Sequence, residues 1–365
     1  MKYNVIYRSL FLCMLYTMCF FTSCRGEEVE KVIKFSFEDF DTIRISSVQV
    51  YNETYNVPLF TPLSIKVVSD SLIVILDSKL EEHFLTIVNT KNANVSYALG
   101  KGNGSEEALY IRNMYKKNDY VICYDKSGKV LSVKIDPKTL KSNIQRLTKL
   151  RTEAMFVCPT SDNGYLEESE TCRYSRTDSQ GNKLDEVGVF PVQKTPSGVA
   201  PVNAVFPVSM GLSPNLNYIV SANQFWNKIE LYDGIGSYKK ILSGPMEDDS
   251  DIQKRELPFG HIFVTNPSYL VFQDVCVQNE GFMVGYIGLD RRKVSKDKGA
   301  LLKGFNRIMT FDVSGKPLKM AEFDHYIQCF DYNTKTKELF CVVEIDSEYK
   351  IIKYVINQAK DVFLE

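Results

Sequence analysis

Histidine is scarce in this chain: His83 in EEHFLTIV, His261 in LPFGHIFV and His325 in AEFDHYIQCF. A serine or cysteine nucleophile needs a base within hydrogen-bond reach and a sharp turn to expose it, and no G-x-S-x-G elbow occurs. His83 reads as a strand-edge residue and His325 as part of a loop. His261 follows an acidic insertion and is the histidine best placed to line a ligand funnel. Glycoside hydrolysis would need two carboxylates held across a sugar ring, and spacing alone pairs none here. TSDNGYL, residues 160–166, resembles one sialidase Asp-box without its tryptophan, and reads better as a turn. The single tryptophan, Trp226 in NQFWNKIE, offers a sugar or peptide platform with Phe225, Asn223 and Asn227. The competing, favoured role for its amphipathic ring is packing between sheets.

Metal and nucleotide chemistry find little support. EDDSD, residues 247–251, clusters hard oxygens but lacks calcium-loop spacing and its glycine, and reads as an exposed acidic loop. GKGNG lacks both the dinucleotide fingerprint and the Walker lysine-serine pair, which makes it a glycine-rich turn. Of nine cysteines, Cys123, Cys158, Cys172, Cys276, Cys329 and Cys341 follow the N-terminal segment, with no CxxC spacing to hold zinc. Cys329 and Cys341 flank the turn DYNTKTKE. A turn centred on Lys335 sets Phe330 against Phe340 and the two thiols against each other, in reach of a disulfide; burial as small hydrophobes is the other reading and the favoured one. No catalytic residue, metal ligand or cofactor is assigned.

The elements that must position these residues are strands. Short runs rich in Val, Ile, Tyr and Phe recur, such as SLIVILD from Ser71, DYVICYD from Asp119, NYIVSAN from Asn217, GFMVGYI from Gly281 and ELFCVVEID from Glu338. They are too short for helices and suit a pleated, half-buried surface. TLKSNIQRLTKLRTEA alone tempts a helix, but its Lys, Arg and Thr on every face make it a loop or short turn. A strand, an Asp or Asn turn and a second strand return near Asn89, Asp136, Asp178, Asp233, Asp312 and Asn357. The side chain can cap the turn, and Gly181, Gly234 and Gly315 can follow in left-handed backbone. Copies about fifty residues apart imply an all-β, six-bladed β-propeller, with an array of two-sheet sandwiches as the alternative. DTIRI, Asp41–Ile45, is the segment expected to complete the last blade. GPMEDDSDIQKRELPFGH and GLDRRKVSKDKGALLKG read as insertions on one rim.

The N-terminus is organised differently. Lys2 and Arg8 precede an apolar run from Leu10 to Phe21, shorter than the ~20 residues of a membrane-spanning helix. With Thr22-Ser23 before Cys24, this reads as a signal peptide over 1–23 with Cys24 acylated; an ordinary secretory signal with a chance cysteine is the alternative. Residues 24–40 form a lipidated tether and 41–365 the propeller. Arg25-Gly26-Glu27-Glu28 resembles the acidic export tag of surface lipoproteins in certain Gram-negative gut anaerobes. The expected location is the outer membrane, at the cell surface or on the periplasmic face. With 44 Lys+Arg against 45 Asp+Glu, no field favours nucleic acid.

The lipobox, the strand–Asp–turn–strand repeat and LGKGNGSEEAL, residues 99–109, together resemble the TolB-like six-bladed β-propeller lipoproteins. Gly100, Gly102, Gly104 and Glu107 match that family's G-x-G-x-G-P-x-E-F turn; Ser105-Glu106 and Ala108-Leu109 depart from it. The resemblance implies the fold and brings no activity with it. The expectation for function is a non-catalytic binding or scaffold module with its site at the channel mouth. A glycan-active hydrolase or lyase is the alternative, and a subunit of a surface complex a third reading. The membrane, through the N-terminal lipid, a surface protein complex, and a glycan or peptide ligand are the partners expected.

Overall fold

The structure is a computed structural model describing residues 32–45, 49–50, 57–150, 154, 156–169, 172–188, 207–246, 252–257, 260–265, 269–290 and 304–355. Among them are strands and one short 3-10 turn, Phe37–Asp39, with no α-helix. The first blade comprises Pro62–Ser69, Leu72–Asp77, His83–Asn89 and Val95–Gly100, and the second Ile111–Lys117, Tyr120–Asp125, Lys129–Ile135 and Ser142–Lys149. Val157–Pro159, Tyr165–Glu168, Tyr174–Thr177 and Lys183–Val187 make the third. The fourth is Val208–Leu212, Tyr218–Asn223, Lys228–Asp233 and Tyr238–Ser243. Blade 5 opens with Tyr269–Val277, Gly281–Asp290 and Phe305–Asp312.

Blades 5 and 6 share one strand. The long strand Pro317–Asn333 pairs through Pro317 to Glu322 with the third strand of blade 5. Through Ile327 to Asn333 it becomes the inner strand of blade 6, beside Glu338–Ile345 and then Glu348–Val355. The six inner strands touch in sequence around a ring, and Pro317–Asn333 contacts Pro62–Ser69 to close it.

The uninterrupted apolar strands follow from this stacking. Leu72, Val74 and Leu76 pack with blade 2, in a cluster containing Met114, Val121 and Leu131. Their neighbours Ile73 and Ile75 point the other way, into a cluster with Phe340, Val342 and Ile351 of blade 6. Both faces of a middle strand are thus buried, at about 1.5–3 kcal/mol per large aliphatic side chain, and alternation vanishes from its sequence.

The repeated Asp and Asn residues occupy one structural position, the turn between third and fourth strands. Asp136 Oδ1 accepts Lys138 N–H at 2.8 Å, Asp178 Oδ1 accepts Gln180 N–H at 2.9 Å, and Asp312 Oδ1 accepts Lys316 N–H at 2.9 Å. Asn89 and Asp233 accept Lys91 N–H and Ser237 N–H in the same way; Asn357 lies outside the described residues.

Four expectations change. Asp41–Ile45 does form a strand, but it runs parallel to Lys319–Phe323 on the edge of blade 5. There Ile43 and Ile45 are half-buried against a cluster with Phe323, a better apolar seat than the rim of blade 6. The last blade is closed by Gln49–Val50, paired with Ile352 and Lys353. The stretch read as a loop, TLKSNIQRLTKLRTEA, contains the outer strand of blade 2, whose solvent-exposed position excuses its polar residues. Finally, Cys329 faces Val342 and Phe330 faces Cys341. The turn holds four residues, 334–337, and this even length moves the register by one, which sends the thiols to opposite faces; both are buried and free.

The expected tether also packs onto the propeller from Val32 onward. Val32–Lys34 runs parallel to the outer strand of blade 4. Phe35 and Phe40 lie edge-on to Phe311, with ring centroids 5.2 and 5.4 Å away.

Candidate functional site

At the end of the axial channel where the inner strands finish lies a cavity of about 370 Å³, lined from blades 1, 2, 4, 5 and 6. Its position follows from the ring: each inner strand delivers its last residues to the axis. Lys66 sits in SIKVVS and Asp331 in QCFDYN, on the inner strands of blades 1 and 6, and Gln278 follows directly on the inner strand of blade 5.

These side chains tie the blades together. Asp331 Oδ2 accepts the Val67 N–H of blade 1 at 2.6 Å, and Oδ1 accepts the Cys276 S–H of blade 5 at 2.9 Å. Gln278 Nε2 donates to the Tyr332 carbonyl at 3.1 Å. Beneath the cavity lining, Asp274 adopts left-handed backbone at φ 60°. Its Oδ2 accepts Phe330 N–H at 2.8 Å, Oδ1 accepts Val275 N–H at 2.9 Å, and its own N–H donates to Ser209 Oγ at 3.0 Å. Blades 4, 5, 6 and 1 are therefore joined by one polar belt.

Lys66 is 9% exposed and makes neither a hydrogen bond nor an ion pair, while its carbon stem is packed into the ring. Burial works against its charge, but Asp274 and then Asp331 outweigh that, so the ammonium holds its proton more tightly than a free lysine. Burial in turn pushes the Asp274 carboxyl up to about 6, opposed by Lys66. Desolvation raises the Cys276 thiol well above its ordinary value, so it serves as a hydrogen-bond donor rather than a thiolate. Asn333, 6% exposed on the same rim, has a buried Nδ2 with no hydrogen-bond partner.

The residues singled out from sequence fall elsewhere. Trp226 is 6% exposed at the turn between second and third strands of blade 4, with Lys228 Nζ 5.7 Å from a ring centroid; this is a packing environment. Beside it Asn223 is buried and donates to Glu230. His261 lies on a two-stranded hairpin, Ile252–Leu257 with Gly260–Thr265, opposite Glu256 in the register; its side chain is outside those described. His325, read from sequence as part of a loop, lies within the long strand Pro317–Asn333, where Asp324 and Tyr326 flank it; its Nδ1 meets Asp324 Oδ1 at 2.8 Å, and the His83 ring lies 6.0 Å from Tyr97. TSDNGYL forms the turn between first and second strands of blade 3, with Thr160 Oγ1 bound to Asp162 Oδ1. Cys24, EDDSD and residues 291–303 of the second rim insertion lie outside the described residues.

GKGNG forms the inter-blade turn read from sequence. Glu107 folds back so that its Oε2 accepts Gly104 N–H at 2.8 Å. A Cβ on Gly102 would meet that carboxylate at 2.0 Å, so a larger residue there would push Glu107 off its bond to Gly104. Lys129 Nζ then binds the Glu107 carbonyl at 2.7 Å, linking turn to blade 2. Lys66, Asp274 and Asp331 were not singled out, because each is a charge on an inner strand that reads alone as ordinary amphiphilic sequence. Only the closed ring reveals that the three belong together.

Comparison with known proteins fits this architecture. A candidate exported protein from Bacteroides fragilis has a TM-score of 0.50 at 13% identity, covering 86% of this chain and 98% of its own. A protein of unknown function from Bacteroides thetaiotaomicron has a TM-score of 0.49 at 10% identity, covering 82% of this chain and 70% of its own. No curated protein matches the sequence. The sequence profile of the TolB-like 6-blade propeller-like family matches residues 37–335, and the chain, with its six blades around one axis, belongs to that family.

Proposed function

We propose that the protein is an exported, non-catalytic binding module, held at the outer membrane by acylated Cys24 and taking its ligand at the channel end beside Lys66. The observation that carries the binding reading is Lys66, a residue nine-tenths buried whose ammonium lines a cavity framed by five blades and makes no hydrogen bond to its own chain. An ammonium so placed keeps its three donors for whatever occupies the cavity. The signal-like N-terminus and the structural likeness to a candidate exported protein support an extracytoplasmic location. Two or more acyl chains would make the attachment stable.

The polar belt favours binding over turnover. Each of Asp274 and Asp331 accepts two hydrogen bonds from the protein, including backbone amides of a neighbouring strand. Carboxylates so engaged position blades rather than flank a scissile bond. The glycan hydrolase or lyase reading rests on Asp274, whose carboxyl titrates near the range useful to a general acid. Location and anchoring are tested together by Cys24→Ser in a bacterium fed an alkyne palmitate analogue. The unmutated protein should take up label and sediment with membranes, and the variant should do neither. Protease treatment of intact cells then separates surface from periplasmic exposure. A variant that still sediments would remove the anchor from the proposal, and glycan turnover abolished by Asp274→Asn would replace binding with catalysis.

A further inference from the structure

The charges lining the channel-end cavity balance. Lys66, Lys116 and Lys335 stand against Asp70, Glu280 and Asp331. Lys335 and Asp70 approach to 3.7 Å at the exposed mouth, Lys116 is half-buried and Glu280 exposed, and Lys66 and Asp331 are the buried members of the set. An electroneutral lining gives no net field to draw in an anion or a cation. It does supply both hydrogen-bond roles at close quarters. Lys66 has donors with no acceptor, and Asp331 keeps lone pairs beyond the two bonds it already accepts. The wall around them mixes polar and apolar surface, with Met210, Leu212, Val275 and Tyr332 among its apolar residues. A volume of about 370 Å³ lies at the lower end for small-molecule sites.

A ligand matched to such a lining is small, carries no net charge, and presents hydrogen-bond donors and acceptors on one edge and C–H groups on the other. Those are the properties of a single sugar ring. An organic acid would meet Asp331 and Glu280 as well as the lysines, and an amine would meet Lys66, so either charged class leaves a like charge facing it. Resting on the binding reading above, we propose that the channel-end cavity binds a neutral monosaccharide, with Lys66 donating to one ring hydroxyl and Asp331 accepting from another. Neither polar group needs to move far, because the inter-blade bonds of Asp331 already fix its orientation.

The test is isothermal titration calorimetry on the full chain in a polyoxyethylene detergent, which carries no sugar head. Probes are D-glucose, D-galactose, D-mannose and N-acetyl-D-glucosamine, with D-glucuronate as the charged counterpart. At least one neutral sugar should bind, and bind tenfold or more tightly than glucuronate. Lys66→Met should weaken that binding at least tenfold. Because Lys66→Met removes a charge from the belt and can disturb folding, Ser69→Phe serves as a second variant. Ser69 is a half-buried mouth residue outside the belt, and a phenyl ring there should block the cavity with the melting temperature unchanged. Glucuronate binding tighter than every neutral sugar, and lost in Ser69→Phe, would overturn the sugar inference while leaving the cavity as the binding site. Binding of no probe, or sugar binding unaffected by both variants, would overturn the inference and the binding reading together.

Discussion

Asp274 is a group whose native environment favours the proton. Its carboxyl titrates at about 6, against 3.8 for an unperturbed aspartate, because burial outweighs the pull of Lys66. Between those values the native state binds a proton that the unfolded chain has released, so its contribution to stability is full below about pH 4 and is lost as the pH rises through about 6. Asp274→Asn should therefore change the slope: the stability gap between wild type and variant should shift between pH 4.5 and 7.5 by no more than about 3 kcal/mol. Urea unfolding at a series of pH values reads this directly, and parallel curves would show that Asp274 has an ordinary pKa. A second buried charge behaves differently. Arg173 and Glu230, each 1% exposed, meet at 3.1 Å between blades 3 and 4, with Asn223 as a further acceptor for the guanidinium. Removing one partner strands the other, so Arg173→Met should cost about 3–5 kcal/mol. Arg173→Met with Glu230→Gln should recover part of that loss; an additive double variant would mean that the two charges do not compensate each other.

At the scale of the element, the turns between third and fourth strands were legible because their chemistry is local. An Asp whose side chain caps its own turn announces itself whatever the rest of the chain does. Gly315 shows how tightly this holds: it has φ 78°, and a Cβ would meet Leu242 Cδ2 at 2.5 Å. Gly315→Ala should lower stability by about 1–3 kcal/mol through strain and overlap, while Asp136→Ala on an exposed turn should cost less. Thermal unfolding of both orders them, and equal effects would contradict the packing argument. What was not legible depended on counting across space. Cys329 and Cys341 were misaligned by one residue because a four-residue turn and a three-residue turn look alike in DYNTKTKE. Lys66 escaped notice because its strand, read alone, is an ordinary amphiphilic run; its meaning comes from Asp331, which is 265 positions away in sequence and whose carboxylate binds the next amide along.

The whole molecule is a ring closed by its N-terminal segment, and its stability should concentrate there. Phe35 and Phe40 are each 6% exposed between the edges of blades 4 and 5, so Phe40→Ala should cost about 3–5 kcal/mol. Deleting residues 1–31 should leave the unfolding midpoint unchanged, whereas deleting 1–50 removes both aromatics, two edge strands and the closing pair. That loss approaches the whole net stability of a typical domain, and the shorter chain should fail to melt cooperatively in calorimetry. A cooperative transition at the original midpoint would show that the segment is dispensable. The order in which this segment attaches has a mechanical side. Between Cys24 and the last strand of the ring, the chain is fastened first along blade 4 at Val32–Lys34, next along blade 5 at Asp41–Ile45, and only then at Gln49–Val50. A pull applied at Cys24 would load the first two seams in turn, so the clasp that holds the circle shut would carry tension only after both had given way.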